Sequence, residues 1–347
     1  MKTRITLFLL AALWQLRAIG APADSCNHRL YYTSPAAIWE ETLPLGNGRL
    51  GMMPDGGISR EHIVLNEISL WSGTEADYSN PEASKSLPAI RQLLFEGKNR
   101  EAQELMYRSF VPKKQEADGR YGTYQVLGAL DIDFTYPLRS SVSVSEASAS
   151  EASPSAVGNR ATGYRRWLSL RDAVAHTSFR LEDVGYRREY FVSRDRDVML
   201  VRLTADREGA LNFSARLSRV ERSAVTVRGN TLMMDGALDS GKPGREGMRY
   251  RVAMRLVSDG GEWAVTPDGG ICLKDGREAW LVLSATTSYA AAGTDFPGER
   301  YAEVCDSLLE RAVTTMEKEV RADRMPVQTA LASHIAAHRS LSTTASP

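Results

Sequence analysis

A chain of 347 residues can form one large domain or two ordinary ones, and 43% hydrophobic with 25% charged residues is typical of a globular protein. Lysine plus arginine and aspartate plus glutamate both number 43, so no net field favours nucleic acid or a membrane surface as a partner. The cysteines Cys26, Cys272 and Cys305 are widely separated and odd in number, and no cysteine–histidine pair has zinc-ligand spacing. We therefore predict no disulfide framework, no metal site and no cofactor.

Residues 1–21 have the pattern of a secretory signal peptide. Lys2 and Arg4 form a charged n-region, an apolar run from Ile5 to Leu13 follows, and small residues before Pro22 suit cleavage. The apolar run is too short to anchor the chain in a bilayer. The sequence predicts export to the periplasm or the extracellular space, and the alternative is an N-terminal helix on a cytosolic protein.

The segment from residue 36 to residue 73 combines a glycine-rich loop with two tryptophans and two acidic residues. Between the tryptophans, Leu45–Gly51 holds three glycines, which let the backbone turn tightly. Asn47 tolerates left-handed geometry and can bond its own main chain. We predict a loop that presents Asn47 and Arg49 at a sheet edge, followed by a strand over Ile58–Leu65. The candidate site residues of this segment are Trp39, Asn47, Arg49, Glu67 and Trp71.

A helical insertion and a polar segment follow. Prolines and cap residues predict helices over residues 89–96 and 99–108, packed on a sheet. Residues 124–136 alternate between apolar and polar side chains, which predicts a strand. The Ser-rich segment 139–160 has little apolar content and is predicted to be a flexible surface loop, with a glycosylated or phosphorylated tract as the alternative.

Closely spaced short strands are predicted from Tyr164 to Tyr289. Turn signals at 183–185, 228–230 and 268–270 mark hairpin joints. Regular short strands joined in this way predict a β-sandwich domain over residues 28–297. Arginines spread along these strands are interpreted as a solvated sheet face: Arg165, Arg166, Arg180, Arg187 and Arg188.

The C-terminal part changes to a helical period. Apolar residues recur at spacings of three and four from Tyr301 to Val320, Pro326 interrupts the pattern, and residues 327–340 resume it. We predict a helical linker over residues 298–341 and a disordered tail over residues 342–347. His334 and His338 form an i, i+4 pair, but no Glu or Cys lies nearby to complete a metal site.

Two motifs carry a family resemblance: WEETLPLGNGRLG at 39–51 and LNEISLWSG at 65–73. They resemble the N-terminal domain of glycoside hydrolase family 95, the inverting α-L-fucosidases. The similarity continues in order through blocks at 80–81, 90–98, 124–128, 186–193 and 286–289. A lone Gly-Asn-Gly is unspecific, whereas these blocks in this order are specific.

The resemblance implies a fold for this chain and places the catalytic residues of the family in a separate barrel domain. The fold is mainly β: a large two-sheet antiparallel β-sandwich with a small helical insertion and C-terminal linker helices. In the family, the sandwich and the linker pack on an α/α barrel, which holds the acid Glu and the Asn and Asp that position water. Those barrel motifs would begin after residue 347, so no catalytic residue can be mapped here. We expect a truncated, inactive chain whose sandwich face, linker helices, His334 and His338 would pack on the absent barrel.

Contact with a fucosylated glycan is the remaining role for the candidate residues. Trp39 and Trp71 can stack on a sugar ring, while Asn47 and Arg49 can bond its hydroxyl groups. The alternative interpretation places both tryptophans in core or interface packing, because tryptophan is highly buried on average.

Three functional hypotheses remain open. The first is an exported α-L-fucosidase-family protein without its catalytic half, and the second is a non-catalytic carbohydrate-binding module. The third is an unstable fragment that exposes a large apolar face. In each case we interpret Glu40 and Glu67 as braces of the glycine loop, through hydrogen bonds to its backbone amides, rather than as catalytic acids.

Overall fold

The computed structural model describes residues 28–73, 79–111, 122–137, 157–158, 160–290, 296–321 and 326–344. The predicted signal peptide, residues 1–21, and nearly all of the Ser-rich segment 139–160 lie outside the described residues. Residues 345–347 of the predicted tail lie outside them as well.

Strands make up most of the described chain. They are β1 (Arg29–Tyr32), β2 (Leu45–Gly46), β3 (Leu50–Pro54), β4 (Arg60–Glu67), β5 (Gly128–Thr135), β6 (Ala161–Ser169), β7 (Val174–Leu181), β8 (Val184–Ser193), β9 (Val198–Ala205), β10 (Leu211–Ser218), β11 (Ser223–Arg228), β12 (Thr231–Ala237), β13 (Arg249–Ser258), β14 (Glu262–Val265), β15 (Ile271–Gly276) and β16 (Glu278–Thr287).

The strands form two antiparallel sheets that pack face to face. The nine-stranded sheet has the order β1-β6-β7-β8-β9-β16-β13-β12-β11, and the seven-stranded sheet has the order β14-β15-β10-β5-β4-β3-β2. One hydrophobic core draws side chains from both sheets. The mainly β, two-sheet sandwich predicted from the sequence is confirmed.

Side-chain alternation places this core. Ile63 and Leu65 of β4 are at most 1% exposed, and Leu130 and Ile132 of the paired strand β5 are fully buried. Because successive side chains of a strand point to opposite faces, the residues between them face outward. The alternation predicted over residues 124–136 is therefore present in β5.

Two helices form the insertion between β4 and β5. They are α1 (Leu87–Phe95) and α2 (Asn99–Ser109). Each buries one residue, Ile90 in α1 and Ala102 in α2, and the two helices pack mainly on each other. The sequence predicted that these helices pack on a sheet. The described residues do not show such packing, and each helix buries little apolar surface.

The C-terminal helices cover the outer face of the nine-stranded sheet. They are α3 (Tyr301–Arg321) and α4 (Pro326–Thr344), so the helix continues into the segment predicted as a tail. A second hydrophobic cluster lies between them and the sheet. Its members are Val174, Phe191, Val198, Leu200, Met233, Ala253, Val257, Trp280, Val282, Cys305, Leu309, Ala312, Val313, Met316 and Ala330.

A buried ion pair joins the two sheets. Glu61 of β4 is fully buried, and Arg188 of β8 donates from Nη1 to its Oε2 over 2.7 Å. The Tyr190 hydroxyl donates to the other carboxylate oxygen over 2.6 Å. Arg188 also donates to the carbonyls of Gly57 and Ile58, and its guanidinium lies 3.7 Å from the centre of the Phe134 ring. Every charge in this cluster therefore has a partner, as burial of charge requires.

The interpretation of the strand arginines as a solvated face is wrong for two of them. Arg188 is 2% exposed and Arg166 is 1% exposed, because both occupy inward positions of their strands. Arg166 donates to the carbonyls of Ser34 and Glu41 over 2.8 and 2.6 Å. Periodicity alone could not reveal that loop carbonyls and aromatic rings would receive these guanidinium groups.

We predict that Arg188→Ala lowers the free energy of unfolding by about 3–5 kcal/mol, because it leaves Glu61 charged, buried and without its partner. The double variant Glu61→Gln/Arg188→Met should be less destabilised, since it leaves no buried charge. Urea unfolding measures both, with the exposed Arg228→Ala as the control. A loss below about 1 kcal/mol for Arg188→Ala would contradict the prediction, because that is the range of an exposed ion pair.

Candidate functional site

The glycine loop forms a tight hairpin between β2 and β3. Leu45 pairs with Met52, and Gly48 at the tip has a φ of 98°, in the left-handed region that favours glycine. The side chain of Asn47 closes the turn, because its Oδ1 accepts hydrogen bonds from the amides of Arg49 and Leu50 over 2.9 and 2.8 Å. The predicted bonding of Asn47 to its own main chain is present.

The same loop is tied to the other sheet. Asn47 Nδ2 donates to the Ser193 carbonyl over 3.1 Å and to Asp197 Oδ1 over 2.9 Å. Arg49 donates from Nε to Asp197 Oδ2 over 2.8 Å and from Nη1 to the Ala285 carbonyl over 2.7 Å. The amide of Asn47 thus has both its donors and its acceptor oxygen occupied by protein groups. These contacts fix the loop against the β8–β9 turn.

Glu67 supports this contact from inside the sandwich. It is 1% exposed, and its Oε2 accepts from the Ser69 amide over 2.8 Å and from the Ser69 hydroxyl over 2.6 Å. Its Oε1 lies 3.4 Å from Arg49 Nη1. Burial raises the pKa of Glu67 above its ordinary value, and the bonds from Ser69 and the charge of Arg49 only partly offset this.

Glu40 and Glu67 were predicted to accept hydrogen bonds from backbone amides of the glycine loop, and this prediction is wrong. Glu67 bonds Ser69 and the Arg49 side chain, not an amide of the glycine loop. Glu40 is exposed, and the neighbouring Glu41 accepts instead from the Ala37 amide over 2.9 Å. The strand β4 places Glu67 opposite Leu50, which turns its carboxylate toward Arg49.

Both tryptophans lie at the surface. Trp39 is 58% exposed at the start of a single 3₁₀ turn, and Trp71 is 48% exposed. Trp71 meets Tyr124 edge-on, with ring centres 5.9 Å apart, and the described residues show no ring contact between Trp39 and Trp71. The alternative of core or interface packing is therefore wrong as regards the core of this chain, and packing of the tryptophans at an interface stays a prediction.

Two clefts adjoin these residues. A cleft of about 290 Å³ has Arg49 and Asp197 on one wall and α3 on the other. Its lining is Gly48, Arg49, Ile68, Asp197, Thr286, Phe296, Pro297, Val304 and Leu308. A second cleft of about 440 Å³ borders Tyr124 on the outer face of the seven-stranded sheet. Its lining is His62, Val64, Tyr124, Gln125, Val126, Gly128, Ala129, Ser218, Arg219, Val220 and Glu221.

A hydrogen-bonded set beside the second cleft was not predicted as a site. His62 Nδ1 lies 2.7 Å from Asp131 Oδ1, and the Ser218 hydroxyl donates to Asp131 Oδ2 over 2.6 Å. The three residues come from neighbouring strands, and His62 lies directly opposite Asp131. The registers of β4 and β10 against β5 bring the three residues together, and spacing in the sequence carries no signal for this arrangement.

The paired histidines lie on the sandwich itself. His334 is 4% exposed, its ring is tilted against that of Phe191 with the ring centres 4.9 Å apart, and its Nε2 bonds the Ala173 carbonyl over 3.0 Å. His338 bonds the Leu170 carbonyl over 3.0 Å. In the structure α4 lays both histidines against the β6–β7 turn, while the expectation that they pack on a barrel stays a prediction. Over the ranges that the structure covers, no group of three or more His, Cys, Asp or Glu is placed to hold a metal ion.

Comparison with known proteins agrees with this architecture. The model of the family described as "Glycosyl hydrolase family 65, N-terminal domain" matches residues 30–292. The chain belongs to this family. The match spans the sandwich from β1 to the end of β16.

Curated relatives of the chain are fucosidases. It is 27% identical over 292 residues to "Alpha-L-fucosidase 2" of Arabidopsis thaliana, covering 78% of this chain and 30% of that protein. It is 28% identical over 297 residues to "Probable alpha-fucosidase A" of Aspergillus niger, covering 79% of this chain and 33% of that protein. The chain thus spans about a third of the length of these relatives, and the resemblance to the N-terminal domain of the α-L-fucosidases is confirmed.

We predict that Asn47→Ala destabilises the chain by about 2 kcal/mol, because it removes bonds that close the turn and leaves the buried partners unpaired. Denaturant unfolding checks the stability, and hydrogen exchange at the amides of Arg49 and Leu50 checks the loop. Asn99→Ala, at an exposed helix start, is the matched control. Equal stability of the two variants would contradict the role of Asn47.

Proposed function

We propose that this chain is the non-catalytic sandwich domain of an α-L-fucosidase-like glycoside hydrolase and has no hydrolase activity by itself. Glycoside hydrolysis normally needs two carboxyl groups on either side of the scissile bond. Each of three clefts among the described residues is lined by a single carboxylate: Asp206, Asp197 and Glu221. This is the observation that carries the proposal.

Association with a helical barrel is the role that we propose for the exposed apolar surface. Trp71 and Tyr124 are about half exposed, and the helical insertion exposes further large side chains. In that insertion they are Leu94, Phe95, Tyr107, Phe110 and Val111. A barrel segment of one of the fucosidase relatives, added in trans, should protect α1 and α2 from hydrogen exchange. Unchanged exchange at saturating concentration would contradict this role.

Export is proposed from residues 1–21, whose charged n-region and apolar run have the pattern of a signal peptide. Among the described residues, no helix combines the length and the apolar character needed to cross a bilayer. N-terminal sequencing of the protein from its native source should begin within a few residues of Pro22. A mature chain that starts at Met1 would contradict export by this route.

We predict that the purified 347-residue chain shows no hydrolysis of an aryl α-L-fucoside above that of the buffer. The reason is that none of the three clefts above is lined by the two carboxyl groups that glycoside hydrolysis normally needs. Release of the aryl alcohol measures the reaction, with an active fucosidase as positive control. Hydrolysis that a single substitution at Glu40, Glu67 or Asp131 abolishes would overturn the proposal.

Carbohydrate binding is the second candidate function, and the exposed Trp71–Tyr124 pair is the observation that favours it. Aromatic rings exposed beside a cleft that also holds polar side chains suit stacking on a sugar face. We predict that a fucosylated oligosaccharide, if bound here, is bound about tenfold more weakly by Trp71→Ala. Calorimetry measures the affinity, with Trp263→Ala on the distant strand β14 as the matched control. Absence of heat with the unaltered chain would exclude this function.

A further inference from the structure

The outer face of the nine-stranded sheet has a part rich in arginine that α3 and α4 leave open. The register brings Arg165 of β6 opposite Ser178 of β7, Ser178 opposite Arg187 of β8, and Arg187 opposite Thr204 of β9. Directly opposite residues on a sheet lie on the same face, so these four side chains form one row across four strands. Arg180, two residues beyond Ser178, lies in the next row of that face.

A cleft of about 530 Å³ opens over this row. We call it the arginine cleft. Its lining is Gly163, Arg165, Ser178, Phe179, Arg180, Gly185, Tyr186, Arg187, Thr204, Ala205 and Asp206. At Gly185 an added Cβ would lie 2.7 Å from Asp206 Oδ2, so the absence of a side chain there leaves room for the Arg180–Asp206 pair. Gly163 adjoins the register shift between Thr162 and Arg165 and has open space in front of it.

Two guanidinium groups of the cleft, those of Arg165 and Arg187, use few of their N–H donors for bonds to the described residues. Arg165 donates from Nε to the Ser178 hydroxyl over 3.1 Å and, among the described residues, forms no ion pair with a carboxylate. Within the described ranges Arg187 donates from Nη2 alone, to Glu189 over 2.7 Å, and its side chain is 54% exposed. Each guanidinium has five N–H donors, so most of those at Arg165 and Arg187 have no acceptor among the described residues. The Arg165 guanidinium also lies 5.9 Å from the centre of the Trp167 ring.

The charge of the cleft is positive. Arg165, Arg180 and Arg187 line it together with one carboxylate, that of Asp206, which Arg180 pairs over 3.2 Å. Glu189, in the neighbouring row, accepts from Arg187 over 2.7 Å and from Arg202 over 2.6 Å. Because Arg202 also pairs with Glu278 over 3.0 Å, the charge of Arg187 is balanced, and the unbalanced positive charge of the cleft is that of Arg165.

We propose that the arginine cleft binds an acidic polysaccharide, with Arg165 and Arg187 holding the carboxylate or sulfate groups and Ser178, Thr204 and Asp206 bonding the sugar hydroxyls. A planar guanidinium matches the two oxygens of a carboxylate or sulfate in a bidentate arrangement. A carboxylate and two hydroxyl groups among the arginines suit a ligand that carries hydroxyl groups as well as acidic ones.

A nucleic acid fits this cleft less well. Binding to a phosphate backbone relies on a continuous basic surface, whereas this chain has equal numbers of acidic and basic residues. Glu182 and Asp183 also flank the cleft at the β7–β8 turn, where Arg160 and Arg207 pair with them. The positive region is therefore only a few residues wide.

The arginine cleft is separate from the glycine loop and does not depend on the proposed function. Gly185 and Ser193 lie at opposite ends of β8, so the two sites are about 27 Å apart at the usual rise of a strand. Binding at the cleft can therefore be present or absent whatever the chain does with fucosylated glycans.

The test is calorimetric titration of the purified chain with polygalacturonate, dextran sulfate, neutral dextran and single-stranded RNA at low salt. The two acidic polysaccharides, or one of them, should bind saturably, and neutral dextran should not. Arg165→Gln and Arg187→Gln should each weaken binding by about tenfold, because each removes charge-assisted hydrogen bonds. Comparison of polygalacturonate with dextran sulfate identifies the acidic group.

Arg228→Gln is the matched control, since it removes the same charge from the opposite edge strand β11 of this sheet and should leave affinity unchanged. Ser178→Glu, which adds a negative charge beside Arg165, should abolish binding, and its unfolding curve shows whether the chain still folds. No binding of either acidic polysaccharide, or equal weakening by Arg228→Gln, would overturn the proposal. RNA binding that depends on Arg165 and exceeds that of both polysaccharides would overturn it as well.

Discussion

The contact between Glu61 and Arg188 is the interaction on which the relation of the two sheets depends. Apolar side chains between two sheets resist separation but tolerate sliding, because the hydrophobic effect is non-directional. A buried ion pair between β4 and β8 does have direction, since its hydrogen bonds hold only in one arrangement. Arg188 bonds the loop carbonyls at Gly57 and Ile58 as well, so the loop before β4 is fixed together with the strand. Burial raises the pKa of Glu61, and the charge of Arg188 opposes that rise.

The glycine loop makes a second set of directional hydrogen bonds between the two sheets, a few residues further along β8. Ser193, at the end of the strand, accepts from Asn47, and Asp197 in the following turn accepts from both Asn47 and Arg49. Asp197 itself has a φ of 53°, a left-handed conformation that is uncommon outside glycine and is held here by its contacts. Asn47 and Arg49 are thus engaged in joining the sheets. The exposed rings of Trp71 and Tyr124 are the surface that we propose for a ligand or a partner domain.

Strands and helices, which depend on the hydrophobic period and on turn residues, could be predicted from the sequence. Groups of side chains that meet through the register of paired strands could not. Alternation at Leu130 and Ile132 located a strand and its inward face, and the helical period of residues 301–320 located α3. Arg166 and Arg188 look like surface residues in a sequence, because nothing local shows which carbonyls and rings they will meet across the core. The set of His62, Asp131 and Ser218 and the row from Arg165 to Thr204 likewise exist only once strands are paired.

The C-terminal helices α3 and α4 cover the apolar part of the outer face of the nine-stranded sheet, which a partner could otherwise have covered. A sandwich that needed a barrel to cover its sheet would expose Phe191 and Trp280, yet both are at most 2% exposed beneath α3 and α4. The expectation of a bare apolar sheet face therefore does not apply to the nine-stranded sheet. Large apolar side chains remain exposed instead on α1 and α2 and around Trp71. Exposed apolar patches often mark interaction sites, so this is the side on which we propose that a partner domain binds. The arginine cleft, polar and on the other sheet, would stay open to solvent in such an assembly.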